Sequence, residues 1–155
     1  MELGQPTDHR PPFKFSAYTR VGFSDTDAQG IVYYGRYLPY FDQARVEYAR
    51  HLGLLDREAG VVQFVMRAST VVYEAPARFD DLLEVFVRTK RIGRTSLAHE
   101  YCAVRVGDGA LMCTAEQTTV LVGVPERRPT PIPDEYRRVV ADFEGADLEL
   151  ALPSP

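Results

Sequence analysis

A single long helical pattern precedes an almost unbroken run of β-type sequence, and this order constrains the fold more than any other feature of the chain. From Tyr34 to Leu52, apolar residues recur at spacings of three and four, which is typical of a helix with a broad apolar face. Gly53 stands where such a helix would end. Pro39 is tolerated if the helix begins between residues 35 and 38, because the N–H that proline lacks is not used in the first turn.

Strand patterns flank this helix on both sides. Residues 13–24 alternate between apolar and polar side chains, which predicts a half-buried strand. After Gly60, β-branched and apolar residues dominate four further segments, at 61–75, 82–92, 95–106 and 110–122. The sequence therefore predicts an α+β fold in which one long helix packs on one face of a five-stranded, mostly antiparallel sheet.

The last two of these segments are predicted to form a hairpin. The tripeptide Gly-Asp-Gly at 107–109 separates them, and Asp-Gly between two such runs is a strong hairpin signal. With a two-residue Asp-Gly loop, Val104 faces Cys113 and Cys102 faces Ala115. The two cysteines then lie on a diagonal, roughly 7–8 Å apart at the backbone. Because this separation exceeds the usual disulfide span, we expect two structural thiols and no disulfide bond.

The prolines divide the chain into a body and two ends. Of the 11 prolines, only two lie inside residues 13–124. We expect a disordered Pro-rich tail at 1–12, one domain at 13–124, and a Pro-rich C-terminal segment at 125–155. Within that segment, Pro133 followed by two acidic residues predicts a short helix over about 133–143.

Charge and hydropathy exclude several classes of protein. The net charge of −4 argues against nucleic-acid binding, which depends on neutralising phosphates. The acidity lies in the two ends, because the body carries 13 acidic and 13 basic residues. No apolar run reaches the ~18 residues of a membrane-spanning helix, and the N-terminus lacks the basic start and apolar stretch of a signal peptide. We therefore expect a cytoplasmic protein with no transmembrane segment and no nucleic-acid partner.

The densest polar feature lies between the first strand and the helix, in the segment Asp-Thr-Asp-Ala-Gln-Gly at 25–30. One interpretation is structural, in which the carboxylates cap the helix or stabilise a turn. The alternative is catalytic: free N–H groups at a helix N-terminus polarise a carbonyl, and a neighbouring carboxylate attacks it or acts as a general base. No metal-ligand spacing, phosphate-binding loop, dinucleotide fingerprint or nucleophile elbow is present in the sequence.

The same segment carries a resemblance to a known family. The sequence FSDTDAQGIVYYGRYLPYFDQARVEYARHLGL at 23–54 resembles the 4-hydroxybenzoyl-CoA thioesterase family of hotdog-fold proteins, and in particular its branch of Tol–Pal-associated acyl-CoA thioesterases. A second block, FVMRASTVVYEAPARFDDLLEV at 64–85, and an Arg-Thr-Ser at 94–96 follow in the family's order. The resemblance covers roughly 13–136 and implies the hotdog fold, in which the sheet wraps around one long central helix.

This resemblance implies roles for particular residues. Asp27 matches the catalytic carboxylate, as nucleophile or as general base, and the backbone N–H of Tyr34 matches the group that polarises the thioester carbonyl. Gly30 allows the loop to turn tightly, and Asp25 is expected to be structural. Many family members carry His where this chain has Tyr34, a change expected to alter the pocket more than the chemistry. The implied activity is hydrolysis of an acyl-CoA or aroyl-CoA thioester, with no metal or redox cofactor.

The resemblance also implies a substrate-binding surface. Four of the seven residues from 88 to 94 are basic and none is acidic, and the family places nucleotide contacts around this turn. The residues expected to bind the phosphates of coenzyme A are Arg88, Lys90, Arg94, Thr95 and Ser96. Tyr33 and Phe64 are expected to line the acyl pocket, although aromatic residues at such spacings are by default part of the core.

Family members pair as dimers with continuous sheets and with active sites between the subunits, and two dimers commonly associate further. We therefore expect a homodimer, or a homotetramer built as a dimer of dimers. Two other functions stay open on the sequence alone: a non-catalytic acyl-CoA-binding hotdog protein, and a thioesterase that acts on acyl-carrier-protein thioesters. A hotdog dehydratase is disfavoured, because no histidine lies between residues 10 and 50.

Overall fold

The order of elements in the computed structural model, which describes residues 3–57 and 63–150, follows the sequence pattern closely. The elements are β1 (Gly4–Arg10), β2 (Phe13–Arg20), α1 (Tyr37–His51), β3 (Phe64–Tyr73), β4 (Leu82–Ile92), β5 (Ser96–Arg105), β6 (Leu111–Leu121), α2 (Asp134–Glu144) and β7 (Glu149–Leu150). The expected strand at 61–75 is observed from Phe64, and its first two positions lie outside the described residues. No helix in the described ranges is long and apolar enough to cross a membrane.

The strands form one sheet in the order β1-β2-β4-β5-β6-β3, and β7 pairs with β4. Within the described residues every pairing is antiparallel except that of β7. The five expected strands are all present, and β1 and β7 extend the sheet to seven. The α+β architecture and the hotdog arrangement around α1 are confirmed.

Strand β1 corrects the prediction of a disordered tail at 1–12. Gly4 pairs with Ala17 of β2, and Pro6 pairs with Phe15. Proline is compatible with this strand because β1 lies at the edge of the sheet, where a missing N–H leaves the ladder intact. A side chain at Gly4 would approach the Phe15 ring to 2.7 Å, so glycine is what allows the two strands to pack here.

Helix α1 packs its apolar face against the sheet, as the spacing of its residues predicts. Its first residue is Tyr37, so Pro39 lies in the first turn and does not kink the helix. The ring of Phe41 stacks on that of Tyr101 in β5, with 4.8 Å between the ring centres, and both side chains are fully buried. Full burial of a side chain such as Phe41 contributes about 1.5–3 kcal/mol. This packing fixes the position of the helix start, where the candidate site lies.

The register of the β5–β6 hairpin differs from the prediction. Val104 pairs with Leu111 because the loop is longer than two residues, and a register shift between Ala103 and Val104 then sets Ala103 opposite Cys113. The carboxylate of Asp108 accepts hydrogen bonds from the Arg105 side chain, at 2.8 and 3.0 Å, and this contact favours the longer loop. Cys102 therefore lies on the opposite face of the sheet from Cys113. Both cysteines are free, so the absence of a disulfide is confirmed, but for a different geometric reason.

Helix α2 agrees with the expected helix at about 133–143 and is anchored by a buried carboxylate at its end. Glu144 accepts hydrogen bonds from the Tyr48 hydroxyl and from the backbone N–H of Thr89, the latter at 3.0 Å. Burial raises the pKa of Glu144 despite these contacts. Val140 is also fully buried. The C-terminal segment is therefore docked onto α1 and β4.

Candidate active site

The loop that precedes α1 folds back on itself through a tight turn. Thr26 and Val32 form an antiparallel bridge, and the N–H of Asp27 donates to the carbonyl of Ile31 at 2.9 Å. The N–H of Gly30 then donates to the carbonyl of Asp27 at 2.9 Å, which closes a four-residue turn. Gly30 has φ +78°, a conformation that a residue with a side chain rarely adopts. This turn explains why glycine stands three residues after Asp27.

Asp27 is half-buried at the start of that turn, and its carboxylate is held in one orientation. Oδ1 accepts a hydrogen bond from the N–H of Gln29 at 2.8 Å, a contact typical of Asp in turns. Oδ2 accepts no hydrogen bond within the part of the chain that the structure describes. One carboxylate oxygen is thus fixed, while the other keeps its lone pairs available for a reaction.

Asp25 has a different environment, which fits the structural role expected for it. Its Oδ2 accepts hydrogen bonds from the N–H of Gly22 at 2.8 Å and from the hydroxyl of Tyr40 at 2.7 Å. Its Oδ1 accepts a hydrogen bond from Nε of Arg36 at 2.8 Å. Partial burial works to raise the pKa of Asp25, but the hydrogen bonds from Tyr40, Gly22 and Arg36 outweigh it and hold the pKa below its usual range.

The contacts of Asp25 also tie the loop to the start of the helix. Its carbonyl accepts a hydrogen bond from the N–H of Tyr33 at 2.9 Å, and Tyr40 lies in the first turns of α1. A single 3₁₀ turn, Tyr34–Arg36, leads into α1, and the N–H of Arg36 closes it on the carbonyl of Tyr33. The N–H of Tyr34 has no acceptor among residues 3–57 and 63–150, as expected at the first position of a helical turn.

An exposed aromatic surface lies beside this helix start. The side chains of Tyr33 and Tyr34 are 57% and 56% exposed, and Tyr73 at the end of β3 is 44% exposed. The hydroxyl of Tyr73 donates to the carbonyl of Tyr34 at 3.0 Å, and the rings of these two residues lie 5.2 Å apart. Sequence reasoning missed Tyr73, Tyr40 and Arg36, because their partners lie on other elements and no local pattern marks them.

The structure separates the expected phosphate-binding residues from Asp27. Arg88 and Lys90 lie on the face of the sheet that points away from α1, where Arg88 pairs with Glu100 at 2.7 Å and Lys90 pairs with Glu116 at 3.0 Å. Arg88 is 8% exposed. Both basic groups therefore already have carboxylate partners that sequence reasoning did not identify.

The other expected binding residues lie at the far end of the sheet. Arg94 and Thr95 lie in the turn between β4 and β5, and Ser96 begins β5. The candidate site adjoins the opposite end of β4, where the N–H of Val21 donates to the carbonyl of Asp81 at 2.9 Å. A strand as long as β4 spans about 35 Å. Phe64 is also distant from Asp27, because it starts β3 and packs on Tyr136, with 5.7 Å between the rings. One chain alone does not bring these residues to Asp27.

Neither His99 nor the two cysteines contribute a reactive group to the site. Burial lowers the pKa of His99 to about 3, which keeps the ring neutral at physiological pH. Burial raises the pKa of Cys113 to about 12 and also raises that of Cys102. In the described ranges, no three His, Cys, Asp or Glu side chains are grouped so that they could hold a metal ion.

Comparison with known proteins gives consistent matches over most of the chain. The model of the thioesterase-like superfamily matches residues 21–140. The acyl-CoA thioester hydrolase YbgC of Escherichia coli is 35% identical over 127 residues, which cover 81% of this chain and 92% of that protein. The acyl-CoA thioesterase YbgC of Haemophilus influenzae is 30% identical over 126 residues, with coverages of 79% and 91%. The crystal structure of a Thermus thermophilus thioesterase complexed with coenzyme A and Zn superposes with a TM-score of 0.71 and 28% identity, with coverages of 83% and 94%.

Proposed function

Since the chain belongs to the thioesterase-like superfamily, we propose that it hydrolyses acyl-CoA thioesters to a free acid and coenzyme A, with Asp27 as the catalytic carboxylate. The observation that carries the proposal is the arrangement of the loop at 25–32. It holds the Asp27 carboxylate with one oxygen unengaged, and it is tied through Asp25 to a helix start whose first N–H is free. These are a reactive carboxylate and a polarising donor, the two groups that acyl transfer requires.

The division of labour between the two groups follows from their chemistry. The backbone N–H of Tyr34 donates to the thioester carbonyl and stabilises the negative charge that develops on its oxygen. Asp27 either attacks the carbonyl carbon directly or takes a proton from the attacking water. In the first route coenzyme A leaves as an acyl-Asp27 anhydride forms, and water then hydrolyses the anhydride; in the second, water adds to the carbonyl and the proton that Asp27 took passes to the departing thiolate. Both routes end with the free acid, coenzyme A as the thiol and the regenerated carboxylate. Gly30 contributes indirectly, because its positive φ shapes the turn that presents Asp27.

We further propose that the working unit is a homodimer joined through β3. This strand is the last in the sheet, with β6 as its one neighbour among the described strands, so its other edge has no partner in a single chain. Apolar side chains at both ends of the strand are 44–48% exposed, namely Val65, Met66, Val72 and Tyr73. An unpaired edge of this kind favours pairing with a second strand. Two copies related by a twofold axis would pair β3 with β3 in antiparallel orientation.

This pairing would complete the site with residues from the second copy. Antiparallel pairing about the strand midpoint sets the Phe64 end of one β3 against the Tyr73 end of the other, and Tyr73 contacts Tyr34. Phe64 pairs with Leu121, whose N–H donates to the carbonyl of Thr95 at 2.8 Å. The turn at 94–96 therefore lies only two strand spacings, about 10 Å, from the edge that pairs. The dimer brings the partner's Arg94, Thr95 and Ser96 toward Asp27, so the proposal takes these residues, with Phe64, as substrate contacts.

The proposal is tested by measuring thiol release from a panel of short-chain, long-chain and aromatic CoA thioesters, together with one acyl-carrier-protein thioester. Hydrolysis of at least one CoA thioester, with the protein eluting as a dimer or a dimer of dimers, is the expected result. Calorimetric titration with the same CoA thioesters separates catalysis from binding alone. Tight binding without thiol release would show a non-catalytic acyl-CoA-binding protein and would contradict the proposal, as would turnover of the carrier-protein thioester alone.

A further inference from the structure

The turn between β4 and β5 is held from behind by the C-terminal segment. The guanidinium of Arg137 in α2 donates to the carbonyls of Gly93 at 2.8 Å and Arg94 at 2.9 Å, both through Nη2. Its Nε donates to the carbonyl of Ile132 at 3.2 Å, and the N–H of Ile132 also donates to the Arg94 carbonyl, at 2.9 Å. The next carbonyl, that of Thr95, accepts from β6. Three consecutive carbonyls, those of residues 93, 94 and 95, therefore accept hydrogen bonds from other parts of the chain.

This arrangement fixes the direction of the amide N–H groups in the same peptides. In a planar trans peptide the carbonyl and the following N–H point in opposite directions. Because the carbonyls of Gly93 and Arg94 are drawn toward Arg137, the N–H groups of Arg94 and Thr95 point away from it. Neither N–H has an acceptor among the described residues, and the side chain of Arg94 is exposed beside them. Successive N–H groups that point outward beside a guanidinium offer a set of donors that suits a phosphate group.

We propose that Arg137 is a positioning residue for the recognition of the phosphates of coenzyme A, acting through the turn at 93–96. The inference rests on the proposed function, and it adds the residue that orients the binding turn. Arginine suits this role because its planar fork carries several donors at fixed angles, so one side chain can hold three carbonyls at once. A lysine at this position would keep the positive charge, but all of its N–H donors lie on one nitrogen and could not reach three carbonyls in the same way.

Arg137 also brings positive charge to the turn. No carboxylate lies within 4.0 Å of its guanidinium in the described part of the chain, whereas Arg88 and Lys90 are each paired with one. Its charge therefore adds to that of Arg94 in attracting a polyphosphate to this end of the sheet. Helix α2 does not depend on Arg137 for its docking, because Glu144 and Val140 anchor it elsewhere. Variants at Arg137 are accordingly expected to fold.

The test compares Arg137→Gln and Arg137→Lys with Arg138→Gln, a matched control that removes the same charge from the neighbouring, exposed position of α2. Each variant is assayed with an acyl-CoA and with the same acyl group on N-acetylcysteamine, which lacks phosphates. For Arg137→Gln we expect KM for acyl-CoA to rise about tenfold, with kcat within about twofold of wild type. Kinetics with the N-acetylcysteamine thioester are expected to stay unchanged, Arg137→Lys to be intermediate, and Arg138→Gln to match wild type.

Two results would overturn the inference while leaving the proposed function in place. One is an active wild type whose KM for acyl-CoA does not respond to Arg137→Gln. The other is an equal loss with the N-acetylcysteamine thioester, which would show that the substitution acts on the fold rather than on phosphate recognition. A wild-type protein that releases no thiol from any acyl-CoA would overturn both proposals, so the two failures are distinguishable.

Discussion

The hydrogen bond from Tyr40 to Asp25 gives a prediction with a definite size and pH dependence. The Tyr40→Phe variant removes the hydroxyl and leaves the ring, while Gly22 and Arg36 continue to donate to the carboxylate. Hydrogen bonds to charged groups contribute about 1.5–3 kcal/mol, and the two remaining donors place the expected loss near the lower end. We expect the free energy of unfolding to fall by about 2 kcal/mol at neutral pH, measured by urea denaturation at fixed protein concentration.

The pH dependence follows from the direction of the pKa shift of Asp25. Because its pKa is lower in the folded state than in the unfolded state, the carboxylate contributes stability above the unfolded value of ~3.9. This contribution is lost as the pH falls through the folded pKa. Tyr40→Phe raises that folded pKa toward its usual range, so its destabilising effect should shrink to about 1 kcal/mol once Asp25 is protonated in both proteins.

Tyr37→Phe is the matched control for this prediction. Tyr37 lies in the same turn of α1 and is also buried, but among the described residues its hydroxyl donates to no carboxylate. We expect Tyr37→Phe to lower the free energy of unfolding by about 1 kcal/mol, and by the same amount at neutral and at acidic pH. An equal loss for Tyr40→Phe at both pH values, or no loss at all, would refute the reasoning that the hydrogen bond stabilises the charged form of Asp25.

Three further predictions concern the loop, the polarising group and the dimer. Gly30→Ala should lower the free energy of unfolding by about 1–2 kcal/mol in thermal unfolding experiments, because φ at this residue is +78° and the added methyl group meets no atom within 4 Å. An unchanged stability would contradict the expectation that alanine is strained at this φ. Tyr34→Pro should lower kcat about 10²–10³-fold with the circular dichroism spectrum retained, since proline is tolerated at the first position of a helical turn and lacks the N–H; Tyr34→Ala, which removes the ring and keeps the N–H, should retain far more of the wild-type kcat. Val72→Lys on the exposed edge should give a monomer in light scattering and abolish hydrolysis, whereas an active monomer would exclude a site shared between subunits.

The elements whose formation depends on local pattern could be predicted from the sequence. The bounds of β4 agree with the expected 82–92, and α1 begins where Pro39 requires it to begin. Strand β1 could not be predicted, because a proline such as Pro6 disfavours a strand unless that strand lies at the edge of a sheet. The sequence alone does not show that β1 takes the edge position. The predicted register of the β5–β6 hairpin was also wrong, because the side chain of Asp108 competes for the hydrogen bonds of the turn.

Some residues of the candidate site could likewise be predicted from the sequence, and others could not. The family resemblance of one short, contiguous segment implies the roles of the Asp27 carboxylate and the Tyr34 N–H, and in the structure that segment lies against the helix start. The role of the basic residues at 88–94 was harder to predict, because the carboxylates that pair with Arg88 and Lys90 come from β5 and β6. Ion pairs between strands depend on register, and a single sequence does not specify which charge faces which.

The central claim is that the Asp27 carboxylate performs the hydrolysis, and the kcat of Asp27→Asn tests it most directly. The substitution is nearly isosteric, and the asparagine Oδ1 can keep the contact with the N–H of Gln29, so the fold is expected to stay intact in a circular dichroism melt. Asparagine is neither a nucleophile nor a general base of comparable strength, so kcat should fall about 10²–10⁴-fold. A folded Asp27→Asn protein that hydrolyses the preferred acyl-CoA at the wild-type rate would contradict the account.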